Sequence, residues 1–262
     1  MKIREIIAAL EDFAPLALQD GFDNAGLQIG LTADAEATGV LLSLDVTEPV
    51  IDEAIRRGCN LVVSHHPLLF HPVKSITGKD YVERCIIKAI QNGITLYAAH
   101  TNLDNAPGGV NHRIADRLGL QDLQWLEPKQ GIDGGSGLVG TLPQPMAKAD
   151  FIDMVKKQFN VDCVRHNDWA GQTVSRVAIC GGAGAFLMPN AISAEADAFI
   201  TGEIGYHRFF GHEHDMLLME IGHYESEQFT LDILGEIIDA AAYGQPLPVI
   251  ATELKTNPIS YK

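Results

Sequence analysis

The sequence predicts an α/β protein. Three observations lead there. Short runs of Val, Leu and Ile recur along the chain at 40–44, 61–63 and 94–99 and again at 174–180, 198–201 and 216–221. Segments with helical spacing or helix punctuation separate many of them. Polar residues of the kind that bind ligands stand directly after several of the runs. Alternation of this sort argues for parallel strands joined by right-handed crossovers.

Taken in order, Ile3, Ile6, Ile7 and Leu10 predict an amphipathic helix over residues 2–13, ended near Pro15. Residues 20–30 are dense in Gly, Asp and Asn and read as a loop with a short strand at 27–29. Val40-Leu41-Leu42-Ser43-Leu44 reads as a buried strand. Thr47 is the expected N-cap of a helix with Pro49 in its first turn and Gly58 as its stop. Leu61-Val62-Val63 is the next strand and runs into Ser64-His65-His66-Pro67. A helix over 79–92 ends at Gly93, and a strand over 94–99 runs into His100-Thr101-Asn102-Leu103-Asp104. A helix is expected over 111–118. Residues 127–137 are rich in Gly and Pro and mark the expected lobe boundary, giving lobes 1–128 and 129–262.

The second half repeats the pattern. Strand 137–142, helix 148–159 and strands 161–165 and 174–180 lead to a turn at Gly181-Gly182-Ala183-Gly184. Strand 198–201 runs into Gly202-Glu203, with a helix expected over 204–210. Strand 216–221 runs into Gly222-His223. One final helix is expected from His223 onward, with Phe229, Ile233, Ile237 and Ala241 as its buried stripe, and a short strand at 249–250.

The totals describe a soluble globular protein: 262 residues, 46% hydrophobic and 20% charged. A net charge of −15 argues against a basic, nucleic-acid-coating surface and suits a protein that collects divalent cations. Four cysteines form no CxxC pair and read as reduced thiols. The first residues lack a signal peptide's apolar run, and no stretch approaches the roughly 18 apolar residues of a membrane helix. The expected location is the cytoplasm, with no membrane partner.

The chemistry-bearing residues fall in a pattern. His223 and Glu227, four apart on a helix, share a face with Cβ atoms about 5–6 Å apart. His65 and His66 follow one strand and Asp104 follows the next, and α/β sheets bind ligands at the carboxyl ends of strands. Three imidazoles and two carboxylates exceed the three ligands of one open catalytic zinc. They suit two divalent ions about 3.5–4 Å apart, with Glu227 bridging and His65 and His66 serving one ion each. The donor set favours Zn, Fe, Mn, Co or Ni over Ca and does not choose among them. The competing reading is local: a His-His pair that caps a turn, an Asp104 that makes one, a solvated Glu227.

Other residues carry two readings each. His100 is a partner of a ligand or a proton shuttle, or else a strand-end histidine on a backbone carbonyl. Glu203 is a general base or orients a ligand, or else sits at the N-terminus of the 204–210 helix, where the dipole favours a carboxylate. His71 lines a pocket and Lys74 meets a phosphate, or both are surface residues. His207, His212 and His214 bind a metal weakly, or lie at a lobe or subunit contact. The 180–184 turn cradles a phosphate or is merely tight; it lacks the Walker and dinucleotide patterns.

Four stretches together resemble the signatures of one family: Asp23-Asn24-Ala25-Gly26-Leu27-Gln28, His65-His66-Pro67, His100-Thr101-Asn102-Leu103-Asp104 and Gly222-His223-Tyr224-Glu225-Ser226-Glu227. The family is the Nif-three-like dinuclear-metal proteins, often labelled GTP cyclohydrolase 1 type 2 homologues, and the chain is similar to its short form without the central insertion. The resemblance implies two interlocked α/β lobes with mixed sheets flanked by helices. It implies that His65, His66, Asp104, His223 and Glu227 are metal ligands, with Glu227 bridging. It further implies a homo-oligomer built as a toroidal hexamer, and a metal-dependent hydrolase acting on a small, nucleotide-like substrate, with GTP opened at the imidazole ring of guanine. His100 and Glu203 would then move protons. The alternative is a non-catalytic metal-binding scaffold or regulator that acts as a ring on protein or nucleic-acid partners. A plain α/β interaction domain without metal is the third reading.

Overall fold

The computed structural model describes residues 1–30 and 32–260. In chain order the elements are α1 Ile3–Phe13, β1 Gly26–Ile29, β2 Val40–Ser43, α2 Glu48–Arg57, β3 Leu61–Ser64, α3 Tyr81–Gln91, β4 Thr95–Ala98 and the single turn α4 Thr101–Asp104. Then come α5 Val110–Leu118, β5 Gln121–Pro128, β6 Gly135–Ala147, α6 Lys148–Phe159, β7 Arg165–His166, β8 Thr173–Cys180, α7 Met188–Ser193, β9 Ala198–Thr201 and β10 Leu217–Glu220. The last are α8 His223–Glu227, α9 Thr230–Ala241 and β11 Val249–Ala251. They form two compact units, residues 1–103 with 230–262, and residues 104–229.

The first unit holds a five-stranded sheet in the order β1-β4-β3-β2-β11. Strands β4, β3, β2 and β11 run parallel, and β1 lies antiparallel on the edge beside β4. The parallel strands β2, β3 and β4 are buried at every position, as expected of a sheet covered on both faces. Leu41, Val62 and Leu96 pack on Val50, Ile51 and Ala54 of α2 and Cys85, Ile86 and Ala89 of α3. Leu42 points the opposite way, to α9, where it approaches Gly235. The punctuation that predicts α2 is present: Thr47 is extended and Pro49 opens the helix. The Gly58 cap takes φ 71°, which only glycine adopts without strain. The expected side-chain cap from Thr47 is not made. Helix α3 does have one, with the Asp80 side chain accepting from the Glu83 amide at 2.9 Å.

The second unit holds a six-stranded sheet in the order β5-β6-β8-β9-β10-β7. Only β8, β9 and β10 are parallel; β5, β6 and β7 join antiparallel. Both sheets are therefore mixed. The parallel expectation from strand–helix alternation holds for β2, β3, β4 and β11 and for β8, β9 and β10, and fails for β1, β5, β6 and β7. Ala178, Phe199 and Leu218 pack on Leu187, Met188 and Ala191 of α7 and the turn before it.

Several expectations change here. The 127–137 segment is the turn of a β5–β6 hairpin inside the second unit, with Pro128 paired to Gly135, so it does not lie at the edge of a unit. Strand β7 is only two residues long. No α-helix spans 204–210 in the described structure; a single 3-10 turn covers Tyr206–Phe209. The final helix is two helices. Gln228 Nε2 donates to the Glu225 and Phe159 carbonyls at 2.9 and 3.0 Å, a side-chain bond that competes with helical pairing between α8 and α9. The buried stripe of α9 is accordingly Thr230, Ile233, Leu234 and Ile238, while Ile237 and Ala241 are half-buried.

Candidate metal centre

In the first unit β3 ends at Ser64, and the chain delivers His65 and His66 at once; β4 ends at Ala98, two residues before His100. The three imidazoles meet. Ring centroids lie 4.9 Å apart for His65–His66, 5.3 Å for His65–His100 and 5.5 Å for His66–His100. One ring nitrogen from each lies within 4.8 Å of the others, close enough for a shared metal ion. His65 is buried, and His66 and His100 are half-buried.

Each of these rings is held through Nδ1 by an oxygen. His65 Nδ1 bonds the Ala99 carbonyl at 2.8 Å, His66 Nδ1 bonds Asp45 Oδ1 at 2.8 Å, and His100 Nδ1 bonds Asp23 Oδ1 at 2.7 Å. A carbonyl or carboxylate oxygen can only accept, so Nδ1 carries the proton and the lone pair of the neutral ring stands at Nε2. That is the tautomer of a metal-binding histidine whose other nitrogen is fixed by an acceptor. The acceptors are themselves restrained. Asp45 Oδ2 accepts from the Thr256 hydroxyl at 2.6 Å, and Asp23 Oδ2 from the Thr101 hydroxyl at 2.5 Å. Burial pushes the Asp23 carboxyl up, but hydrogen bonds from His100, Thr101 and the Asn24 amide outweigh it and hold the group down to about 2. The same balance, with His66 and Thr256 as partners, keeps Asp45 below the ordinary carboxylate range.

The second unit carries Asp104, Glu203, His223 and Glu227. Asp104 closes α4 rather than following its strand directly, and its carbonyl accepts from Asn111 Nδ2 at 3.0 Å. His223 opens α8 with Nδ1 on Glu203 Oε1 at 2.7 Å and Nε2 facing Glu227 Oε2 at 3.1 Å. With Nδ1–H donated to Glu203, the second contact is met by a proton on Nε2, by a proton on Glu227, or by a cation bound by Nε2 and Glu227 together. Glu227 is buried. A Cβ at Gly182, where φ is +59°, would run into Glu227 Oε1. The Ser226 hydroxyl accepts from the Gly182 amide at 2.9 Å and donates to the His223 carbonyl at 2.7 Å, so the 181–184 turn braces α8. The Gly181, Gly182 and Gly184 amides are spent on Asn111, Ser226 and Thr201. The turn is therefore tight and structural, not a phosphate cradle.

Glu203 thus has a ligand-type histidine as its partner, and the helix-dipole alternative falls with the missing 204–210 helix. His71 and Lys74 are exposed. His207 stacks on Phe210, and His212 bonds Asp215 Oδ2 at 2.8 Å; among the described residues neither these two nor His214 joins a three-ligand group. From sequence, Gly182 and Ser226 stand out only as members of longer stretches, and Asp45 does not stand out at all. Asp45 had one available signal: it follows a buried strand, as His65 does.

A mixed-sheet α/β protein with acceptor-anchored imidazoles at its strand ends, and a buried carboxylate, Glu227, among its candidate ligands, is a candidate metal binder. The family model described as Duf34/NIF3 (NGG1p interacting factor 3) matches residues 1–258, and the chain belongs to that family. A Clostridium acetobutylicum protein named GTP cyclohydrolase 1 type 2 homolog is 30% identical, with 100% of this chain and 99% of that protein covered. A Clostridium perfringens protein of the same name is 36% identical over 87% of each. Among solved structures, a hypothetical protein of Staphylococcus aureus matches with TM-score 0.92 and 31% identity over 100% of this chain and 99% of its own. Among the described residues no helix is long and apolar enough to cross a membrane.

Proposed function

We propose that the chain binds two divalent metal ions through His65, His66, Asp104, His223 and Glu227, and that it hydrolyses a nucleotide-like substrate. The names of its relatives make GTP the first substrate to test, with opening of the guanine imidazole ring as the reaction. The observation that carries the metal reading is the anchoring of His65, His66, His100 and His223 through Nδ1, which places every lone pair at Nε2. His166 and His212 are anchored through Nδ1 in the same way, but among the described residues neither joins a three-ligand group, so the anchoring counts together with the convergence of His65, His66 and His100.

Divalent ions at such a site lower the pKa of bound water toward neutrality and polarise the substrate. The remaining work belongs to the chain. Asp45 and Glu203 set the tautomers of His66 and His223. His100, held by Asp23, offers Nε2 as a proton acceptor or as a further ligand. Glu203 acts through His223 and is read as a positioning residue. The same family resemblance supports a ring-shaped homo-oligomer working in the cytoplasm.

Metal content of the reconstituted wild type against Glu227→Ala tests the ligand set. The expectation is a fall from two ions per chain to one or fewer; two tightly held ions in the variant would remove Glu227 from the site. Turnover of GTP and a nucleotide panel by metal-loaded protein tests the chemistry. Full metal occupancy without turnover would move the protein to the scaffold reading.

A further inference from the structure

Beside the histidines of the first unit stand two phenylalanines that the fold holds in solvent. Phe22 is 66% exposed and Phe70 is 38% exposed. Their rings meet edge to face at 6.3 Å, and Phe70 in turn meets the His100 ring at 6.0 Å with an interplanar angle of 83°. An aromatic chain thus runs from His65 and His66 through His100 and Phe70 to Phe22.

The exposure is imposed by the polar bonds of the surrounding loops. The residue after Phe22 is Asp23, whose side chain is fully buried on His100 and Thr101. The Asp20 amide donates to the Thr101 hydroxyl at 2.9 Å. The residue before Phe70 is Leu69, whose carbonyl accepts from Asn24 Nδ2 at 2.7 Å and whose amide donates to Gln28 Oε1 at 3.1 Å. Both loops are therefore tied to each other and to the histidine cluster, and neither ring is left to collapse into the core. Apolar rings fixed in water forgo burial free energy. A pair placed this way, within one ring of the candidate ligands, gains it back when a flat partner covers them.

We propose that Phe22 and Phe70 form the subsite that stacks the heteroaromatic ring of the substrate beside the metal-binding histidines. This rests on the proposed function for its substrate class and adds to it the residues that select that class. Stacking on aromatic side chains is tolerant of ring identity because every base presents a π face. The subsite therefore selects for a planar heteroaromatic group in general, and finer choice among bases falls to polar contacts elsewhere.

The test uses the full-length, metal-loaded protein and compares wild type with Phe22→Ala/Phe70→Ala and with Phe22→Trp/Phe70→Trp. Equilibrium binding is measured for GTP, ATP and UTP and, as the base-free probe, inorganic triphosphate. The expected result is a loss of roughly ten-fold or more for the three nucleotides in the double alanine variant. Triphosphate binding and metal content should stay unchanged, with recovery of nucleotide binding in the double tryptophan variant. Equal loss for triphosphate, or no loss for any nucleotide, overturns the proposal. So does a change of oligomeric state in the alanine variant by light scattering, which would make the pair a subunit contact. Because binding is read without turnover, an inactive protein that still shows the base-dependent loss retains the subsite and loses only the hydrolase reading.

Discussion

At His65, His66, His100 and His223 an acceptor decides the tautomer, and at the last three it is a single carboxylate. Removing such an acceptor commonly weakens a metal site by 10–100-fold without removing a ligand. Asp45→Ala should therefore lower metal affinity at His66 by about ten-fold or more, read by competition with a chromophoric chelator, while far-UV circular dichroism stays unchanged. Gly182→Ala should act more sharply, because its methyl group meets Glu227 Oε1 in a backbone conformation that L side chains rarely adopt. It should bind less metal than wild type, and Gly205→Ala, whose Cβ would meet nothing within 4 Å, should not. Loss of metal in both variants would implicate general unfolding. The placement of His65 and His66 at a strand end and of His223 and Glu227 on one helix was legible in the sequence, because both are local patterns. Their supports were not. Asp45 reaches His66 across 21 residues and Asp23 reaches His100 across 77, and no spacing rule records such a bond.

Elements were legible where hydrophobic period and punctuation agreed. Helix α6 and strand β9 match their expected bounds. Strand β5 did not show itself because its burial is mostly exposed with one buried position, Leu126, so no alternation marks it. The α8–α9 break was hidden because Gln228 acts through its side chain. Helix α3 has a device of its own. Glu83 Oε2 accepts from the Thr77 amide and hydroxyl and the Lys79 amide at 2.8, 2.9 and 3.1 Å. These bonds, the Thr77 amide foremost, overcome burial and hold its carboxyl down to about 2 from an ordinary 4.5. A depressed carboxylate stabilises the fold above its unfolded pKa and loses that contribution on protonation. Stability should thus fall as pH drops from about 4.5 toward 2, and the urea midpoint of Glu83→Gln should fall less steeply over that window. Parallel slopes for the two proteins would show that the 75–79 loop is held by something else.

At the scale of the molecule the first unit is written in two pieces, with residues 104–229 between them. The sequence suggested a boundary at a Gly- and Pro-rich stretch, because hairpin turns and linkers share that composition; which one it is depends on pairing partners on both sides. The return of the chain is tightly made. Strand β11 adds beside β2 with Val249 against Val40, Glu53 accepts from the Glu253 amide, and Thr256 bonds Asp45 across 211 residues. Such distant pairings form slowly, whereas the second unit closes on contiguous chain. Pulsed hydrogen exchange during refolding should protect the amides of β8 and β9 before those of β2; simultaneous protection would point to one cooperative unit. For a chain leaving the ribosome, the consequence is one of timing. The hydroxyl that steadies the Asp45–His66 pair is encoded 211 residues after Asp45, so a nascent chain meets cellular metals with that clasp still undone, and synthesis of that later stretch fastens it.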